Sequence, residues 1–290
     1  MNLIEIFNKF PTQKDCIKYL EKIKWDSLPV CPYCYSTNSS RILKENRHHC
    51  NTCNTHYSVT VDTIFHNTKL PLQKWFLAIS LILNAKKGIS SRQLARDIKV
   101  HRNTAWSMQQ RIANAMVDDG KWMKGIVEMD EVYVGGKPRK SNNQDNNNLP
   151  LKRGRGTKKI PVVGIVERKG KVVATKQHQL KFKDLKRMAK SNIDFDNTVL
   201  MTDDYKGYIP FKKLLKHRTV NHSQKQYVKD DIHTNTIEGF WALLKRGITG
   251  QYHWLSDKWI NNYIQQFCFK YNNRNNDNVF NLLVGNMLGV

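Results

Sequence analysis

The stretch that decides the fold is Ile126-Val127-Glu128-Met129-Asp130-Glu131-Val132-Tyr133-Val134. Its apolar and β-branched residues predict a strand, and Asp130 lies midway along it. The whole chain is strongly basic, with 48 Lys and Arg against 24 Asp and Glu, which gives a net charge of +24. On such a background the informative residues are the acids that lie on strands or at their ends. Asp130 is the first of them.

The segments after this strand predict the rest of a mixed sheet. Hydrophobic periodicity and turn signals indicate two strands joined at Lys169-Gly170, a helix, a further strand and two more helices. These predicted elements are residues 160–168, 171–177, 180–190, 197–204, 233–246 and 259–271. Three antiparallel strands, a helix and a parallel strand form the ribonuclease-H-like arrangement. The sequence therefore predicts an α/β fold, a ribonuclease-H-like catalytic domain whose mixed sheet is flanked by helices.

Three acids of this domain are candidate metal ligands. Asp130 lies on the first strand, Asp203 at the end of the fourth, and Glu238 on the following helix. Hard divalent cations prefer oxygen ligands, and two of them roughly 4 Å apart stabilise both the attacking and the leaving oxygen of a displacement at phosphorus. Glu131 and Asp204 compete for the same role, but each directly follows its candidate on a strand and should point to the opposite face.

Four of the six cysteines have the spacing of a zinc ribbon: Cys31, Cys34, Cys50 and Cys53. Two Cys-x2-Cys knuckles separated by fifteen residues supply four thiolates for a tetrahedral Zn2+. We expect one closed, structural zinc ion at this site. The alternative is a pair of disulfides in a secreted domain. We disfavour it because the sequence shows no secretory signal pattern.

A helix-turn-helix-like region is predicted between the ribbon and the sheet. Helices are expected from residue 72, at 92–98 and at 103–117, with a turn between the last two. In helix-turn-helix geometry, basic residues of such a region face phosphates or base edges in a major groove. The DNA-binding candidates here are Arg92, Arg96, Arg102 and Arg111. The alternative is a plain helical hairpin with a solvated basic face.

The segment 137–159 is an Asn-, Lys- and Arg-rich loop between the first two predicted strands. It holds eight basic residues and one acid, Asp145. Its low hydrophobicity and high charge predict that it is disordered without a partner. We interpret it as an arm that binds DNA phosphates through Lys152, Arg153 and Arg155, with a solvated linker as the alternative.

Charge and hydropathy exclude several classes of protein. A net charge of +24 indicates a polyanionic partner, and DNA is the favoured one. The longest strongly apolar run, residues 75–83, is far shorter than the roughly 20 residues that span a bilayer, so no membrane partner is expected. With 40% hydrophobic residues the chain should fold rather than remain disordered. We expect it to be cytoplasmic and associated with the nucleoid.

Several motifs are specific in combination. They are Val-Glu-Met-Asp-Glu-Val-Tyr-Val-Gly-Gly-Lys at 127–137, Thr-Asp-Asp-Tyr-Lys-Gly-Tyr at 202–208, Asn-His-Ser at 221–223, His-Thr-Asn-Thr-Ile-Glu-Gly-Phe-Trp at 233–241, Leu-Leu-Lys-Arg-Gly at 243–247, Tyr252-His253 and Arg274. Together they resemble the ISXO2-like family of bacterial insertion-sequence transposases, over nearly the whole chain. The resemblance implies a DDE-type transposase with two Mg2+ ions, or Mn2+ in their place. Such an enzyme hydrolyses the ends of its element to expose 3′-hydroxyls and joins them to target DNA, as a homo-oligomer on double-stranded DNA.

The resemblance also implies roles for individual residues. Asp130 and Asp203 match the first two acids of the family's catalytic set. Members of the family carry Glu or Asn as the third, which leaves Glu238 and Asn235 as candidates. Glu238 is favoured because a carboxylate binds Mg2+ more strongly than an amide, and because Lys245 follows it by seven residues. Lys245 would contact a DNA phosphate near the cleavage site.

Three regions are therefore predicted along the chain. They are residues 1–66, an N-terminal helix and zinc ribbon; 67–120, the helix-turn-helix-like region; and 121–290, the ribonuclease-H-like domain. Two other functions remain open at this point. One is a DNA-binding regulator whose acidic domain is catalytically dead, and the other is a metal-dependent nuclease that cuts without joining.

Overall fold

The computed structural model describes residues 1–117, 119–135, 159–220 and 233–290. The chain divides into two compact units. The first consists of Met1–Val117 with Asn273–Val290, and the second of Asp118–Asn272. Within the described ranges, no helix is both long enough and apolar enough to cross a membrane.

Helices and strands are numbered here in chain order. The first unit contains α1 (Leu3–Lys9), α2 (Gln13–Trp25), β1 (Ser39–Ile42), β2 (Arg47–Cys50), β3 (His56–Tyr57), α3 (Leu72–Asn84), α4 (Ser91–Asp97), α5 (Arg102–Asn114) and, after the second unit, α9 (Val279–Leu288). The second unit contains β4 (Met123–Val134), β5 (Ile160–Glu167), β6 (Val172–Lys176), α6 (Phe182–Asn192), β7 (Ile193–Asp203), β8 (Lys216–Val220), α7 (Asn235–Gly247) and α8 (Ile260–Asn272).

A small antiparallel sheet, β1-β2-β3, carries the two cysteine knuckles. Its core is the buried ring of Tyr57, which stacks on His48 with ring centroids 5.5 Å apart and meets the edge of Trp25 at 5.8 Å. The imidazole Nε2 of His48 lies 3.0 Å from a carboxylate oxygen of Glu21 on α2. These contacts fix the ribbon in a region too small to bury a large apolar core.

The helices of the first unit surround α3, whose sequence is apolar on most sides. Phe76 of α3 packs edge-on against Phe10 at 4.8 Å and against Phe280 at 5.8 Å. Because Phe280 lies on α9, residues 273–290 belong to this unit. The predicted catalytic region was residues 121–290, whereas in the structure residues 273–290 belong to the first unit.

The helix-turn-helix-like pair α4 and α5 lies within a few residues of its predicted position. The Ser90 side chain caps α4 by accepting from the backbone N–H of Gln93 at 3.2 Å. Lys99 turns the chain between the helices with a positive φ of 50°. The His101 side chain then caps α5 by accepting from the N–H of Asn103 at 3.3 Å.

The second unit is built on a five-stranded mixed sheet in the order β6-β5-β4-β7-β8. Strand β5 runs antiparallel to β4 and β6, whereas β7 runs parallel to β4 and β8. This confirms the predicted ribonuclease-H-like α/β fold. The edge strand β8 was not predicted, because its sequence Lys-His-Arg-Thr-Val is mostly polar and only Val220 is buried.

Alternation along β4 sends its side chains into two separate cores. On one face Val132 packs with Ile237 and Leu244 of α7. On the other face Met129 packs with Leu185 of α6. The sheet therefore has helices on both faces, and α7 covers the face to which Asp130 points.

Candidate metal centre

Asp130 and Asp203 lie side by side at the centre of the sheet. Strands β4 and β7 pair in parallel as far as Glu128 and Met201, so the residues two positions further on, Asp130 and Asp203, fall at the same level. Their carboxylate oxygens and one of Glu131 all lie within 4.8 Å of one another. The structure thus brings together the first two predicted ligands and adds a third carboxylate.

The position of Glu131 differs from the sequence-based expectation. Alternation does place it on the opposite face of β4 from Asp130. However, Glu128 and Met201 are the last paired residues between β4 and β7 in the described chain, so the acids lie beyond the paired part of the two strands. There a carboxylate oxygen of Glu131 lies within 4.8 Å of those of the two aspartates.

The cluster carries concentrated negative charge. Burial and, after it, the neighbouring charges of Glu131 and Asp203 raise the pKa of Asp130 to about 7, although the hydrogen bond from Trp241 acts in the opposite direction. A hard divalent cation prefers carboxylate oxygens and would offset this repulsion. The donor set therefore fits a divalent cation.

Each carboxylate of the cluster accepts a hydrogen bond from a well-placed donor. The indole Nε1 of Trp241 donates to Asp130 at 3.1 Å. The backbone N–H of Tyr205 donates to Asp203 at 3.1 Å, and the hydroxyl of Tyr208 donates to Glu131 at 2.8 Å. These donors come from α7 and from the turn after β7, so the fold itself orients the acids.

Gly164 makes room for the indole that holds Asp130. It pairs with Asp130 across β4 and β5. A Cβ atom at Gly164 would lie 2.5 Å from Cη2 of Trp241 and 3.0 Å from Cδ1 of Ile237. Only glycine therefore lets α7 approach the sheet closely enough for this hydrogen bond.

Glu128 anchors the helix that covers the site, a role that the sequence pattern did not predict. Its carboxylate is fully buried and accepts from the backbone N–H groups of Thr236 and Ile237, at 2.9 and 3.0 Å, in the first turn of α7. Nε of Arg168 donates to it at 2.7 Å, and an Arg168 Nη2 donates to the carbonyl of His233 at 2.9 Å. Glu128 thus ties the start of α7 to the strand that carries Asp130. The sign of this role in the sequence was a glutamate between the apolar Val127 and Met129, two residues before Asp130 and therefore on the same face of the strand.

The remaining predicted catalytic residues lie on the exposed side of α7. Asn235, Glu238 and Lys245 are all exposed. Oε1 of Glu238 accepts from the hydroxyl of Thr234 at 3.0 Å. Among the described residues, Glu238 is not part of the carboxylate cluster formed by the other acids.

The predicted DNA-binding arginines differ in their surroundings. Arg92, Arg96 and Arg102 are exposed on α4 and α5. Arg111 is turned inward, because its guanidinium lies 5.2 Å from the ring of Trp75 and donates to the carbonyl of His66. Burial also lowers the pKa of Arg111. These contacts give Arg111 a packing role within the first unit.

Some predicted residues lie outside the described part of the chain. They are Lys152, Arg153 and Arg155, with all of the basic loop 137–159 except Lys159, and the Asn-His-Ser motif at 221–223.

The four ribbon cysteines converge as predicted. The Sγ atoms of Cys31 and Cys53 are 3.7 Å apart, those of Cys34 and Cys50 are 3.5 Å apart, and all four lie within 4.8 Å of one another. Tetrahedral zinc with bonds of about 2.3 Å places its sulfurs roughly 3.8 Å apart. All four are free thiols, so the structure contains the metal-binding arrangement rather than the two disulfides of the alternative.

The two knuckles have the same backbone geometry. Tyr35 donates its N–H to the carbonyl of Cys31, and Asn54 donates to that of Cys50, both at 2.9 Å. Both donors have positive φ, 59° for Tyr35 and 56° for Asn54. Each turn thereby aims its pair of sulfurs at a common point.

Comparisons with known proteins agree with this architecture. A family model described as the ISXO2-like transposase domain, of the DDE type, matches residues 122–272, and one described as the transposase zinc-ribbon domain matches residues 11–56. An "Uncharacterized protein in transposable element ISH50" from Halobacterium salinarum is 26% identical over 256 residues, covering 83% of this chain and 84% of that protein.

Similarity to solved structures is weaker. The Mos1 strand transfer complex matches with 11% identity and a TM-score of 0.29, covering 74% of this chain and 75% of that one. A pre-cleavage Mos1 transpososome matches with 9% identity and a TM-score of 0.26, covering 71% of this chain and 76% of that one. The transposase-domain model, by contrast, covers more than half of the 290 residues. The chain therefore belongs to the DDE-type transposases that carry the ISXO2-like domain, as its motifs indicated, and its N-terminal module is a transposase zinc ribbon.

Proposed function

We propose that this transposase binds the ends of an insertion sequence and, with Mg2+, cleaves the DNA strands there and joins them to target DNA. The observation that supports this most directly is the convergence of Asp130 and Asp203 on adjacent parallel strands of a DDE-type domain. Mn2+ would serve in place of Mg2+, because both prefer carboxylate ligands.

Asp130 and Asp203 are the proposed metal ligands from the sheet, and Glu238 is the proposed ligand from α7. The bound ions supply charge neutralisation at phosphorus and an activated oxygen nucleophile. The chain's own contribution is to hold the ligands in place before the substrate arrives. Trp241 and the backbone of Tyr205 do this for the two aspartates. Lys245, exposed further along α7, would contact a phosphate near the cleaved bond.

Double-stranded DNA is the proposed partner of both units. Arg92, Arg96 and Arg102 are exposed on the helix-turn-helix-like pair, where they would contact phosphates or base edges. Lys152, Arg153 and Arg155 are proposed to bind phosphates from the basic loop. A net charge of +24 supports strong, salt-dependent attraction to DNA. Pairing of two element ends is proposed to require a homo-oligomer on the DNA.

The direct test is incubation of the purified chain with Mg2+ and DNA that carries the element's terminal repeats. We expect strands nicked at the repeat ends and products joined to target DNA, both visible on a denaturing gel. Nicked products without joined ones would indicate a nuclease. Binding without either product would indicate a catalytically dead regulator.

The same assay separates the two candidates for the third ligand. We expect Glu238→Ala to lose cleavage and joining while its DNA affinity stays close to that of the parent, since a carboxylate binds Mg2+ more strongly than an amide. Asn235→Ala, three residues away on the same helix, is the matched variant and should keep most activity. An inactive Asn235→Ala with an active Glu238→Ala would reverse the assignment.

Zinc content tests the ribbon. We expect one Zn2+ per chain by elemental analysis, and Cys50→Ser should lose it, because three sulfurs no longer close a tetrahedral site. Cys268→Ser, which removes a buried thiol in the other unit, should retain the full zinc content. Purified protein without zinc would contradict the structural-zinc proposal.

A further inference from the structure

Glu131 is held at the metal centre by a donor from the protein core. Tyr208 is completely buried, among the residues that pack between the sheet and α6. From there its hydroxyl donates to Oε2 of Glu131 at 2.8 Å. Because its ring is packed in the core, Tyr208 holds the acceptor of its hydroxyl more firmly than a surface side chain would.

This contact opposes an electrostatic preference. Glu131 lies within 4.8 Å of the carboxylates of Asp130 and Asp203, so the ionised forms of these groups repel one another. A glutamate side chain has enough rotatable bonds to turn away toward solvent. The hydrogen bond from Tyr208 instead keeps it beside the two aspartates.

One short turn controls both Asp203 and Glu131. Asp203 ends β7, and the backbone N–H of Tyr205 donates to its Oδ1 at 3.1 Å. The N–H of Tyr208 donates to the carbonyl of Tyr205 at 2.9 Å, which folds the turn back so that Tyr208 reaches Glu131. The turn at 203–208 therefore sets the distance between two carboxylates that belong to different strands.

We propose that Glu131 is a further metal-binding carboxylate of this site and that Tyr208 is the positioning residue that holds it. The proposal rests on the proposed function only in taking the acidic cluster as a metal site. It has a specific consequence. The sheet alone offers three carboxylates, so a divalent cation binds there before α7 contributes any ligand.

Binding of Mn2+ to the zinc-loaded full-length chain tests the proposal without any DNA reaction. The concentration of free Mn2+ is measured by electron paramagnetic resonance during titration of each protein. The proteins are the parent, Glu131→Gln, Tyr208→Phe, their double variant and Glu238→Gln. We expect Tyr208→Phe to weaken Mn2+ binding about tenfold, the size typical for loss of a group that orients a ligand. Glu131→Gln should weaken it at least as much, and Glu238→Gln only slightly.

The double variant separates positioning from a general structural effect. If Tyr208 acts through Glu131, the double variant binds Mn2+ as Glu131→Gln does, whereas independent effects would add. Asp204→Asn is the matched charge control, because Asp204 is exposed and adjacent to the cluster but not part of it. Its Mn2+ affinity should equal that of the parent.

The results that overturn the proposal are distinct from failure of the proposed function. Glu131→Gln with the Mn2+ affinity of Asp204→Asn, or a parent chain that binds no Mn2+ at millimolar concentration, overturns it. Should Tyr208→Phe fail to fold, Glu131→Gln still decides the ligand role. A parent that binds Mn2+ through Glu131 but neither cleaves nor joins its element ends refutes the proposed function alone.

Discussion

Asp130→Asn and Asp203→Asn are each expected to reduce strand cleavage and joining by about 10³-fold or more, a loss of roughly 4 kcal/mol of transition-state stabilisation. Asparagine keeps the size of the side chain and an oxygen that can accept the hydrogen bonds from Trp241 or Tyr205. It removes only the charge that binds the metal. Rates of nicking and joining at the element ends, measured with saturating Mg2+, give the effect.

Two controls make this loss specific to the metal centre. Asp204→Asn changes the same charge one residue away and should retain activity, because Asp204 lies outside the cluster. DNA affinity, measured by fluorescence anisotropy, should be nearly unchanged in both inactive variants. An Asp130→Asn enzyme that kept more than about a tenth of its rate would contradict the assignment.

In the metal-free protein, Asp130→Asn should raise the free energy of unfolding at neutral pH, although it is expected to reduce activity. Since burial and the charges of Glu131 and Asp203 raise the pKa of Asp130, its ionised form is disfavoured in the folded chain. A carboxyl whose folded pKa lies above its unfolded value destabilises the fold at neutral pH. Neutral asparagine removes this unfavourable charge. The charge that would bind the metal is therefore one that destabilises the metal-free fold.

Residues whose role depends on local pattern could be predicted from the sequence. The alternation around Asp130 and the apolar strand before Asp203 place these acids on neighbouring strands once the ribonuclease-H-like order is assumed. The spacing of the four cysteines specifies the ribbon, because each knuckle is a local turn. In both cases short-range geometry fixes the side chain.

Residues whose role depends on distant partners could not be predicted in this way. Glu131 follows the alternation rule, yet it lies at the site beyond the paired part of β4 and β7, where the hydroxyl of Tyr208 donates to it. Arg111 matched a basic helix face, but Trp75, on another helix, draws it inward. Phe280 joins the first unit through Phe76, about 200 residues earlier in the chain. Periodicity contains no information about such contacts.

Glu128→Ala is expected to lower the free energy of unfolding by about 3–5 kcal/mol, the cost typical of breaking a buried ion pair from one side. The substitution leaves Arg168 without its carboxylate, and it also removes the acceptor for the N–H groups of Thr236 and Ile237. Thr234, the residue before α7, makes no capping hydrogen bond of its own, so Glu128 supplies the cap. Denaturant unfolding followed by tryptophan fluorescence measures the loss.

The size of this effect distinguishes a buried anchor from an ordinary ion pair. Asp257→Ala breaks the pair with Lys176, in which the aspartate is 65% exposed, and should cost no more than about 1 kcal/mol. In the double variant Glu128→Leu/Arg168→Met, apolar side chains replace the ion pair and should recover most of the stability that is lost when the pair is broken. The helix cap, worth about 1 kcal/mol, is not recovered. Full recovery would show that Glu128 only balances Arg168. Partial recovery of stability, with cleavage still impaired, would show that Glu128 holds the start of α7 against the strand of Asp130. Asn235 and Glu238 lie in that first turn and would be held with it.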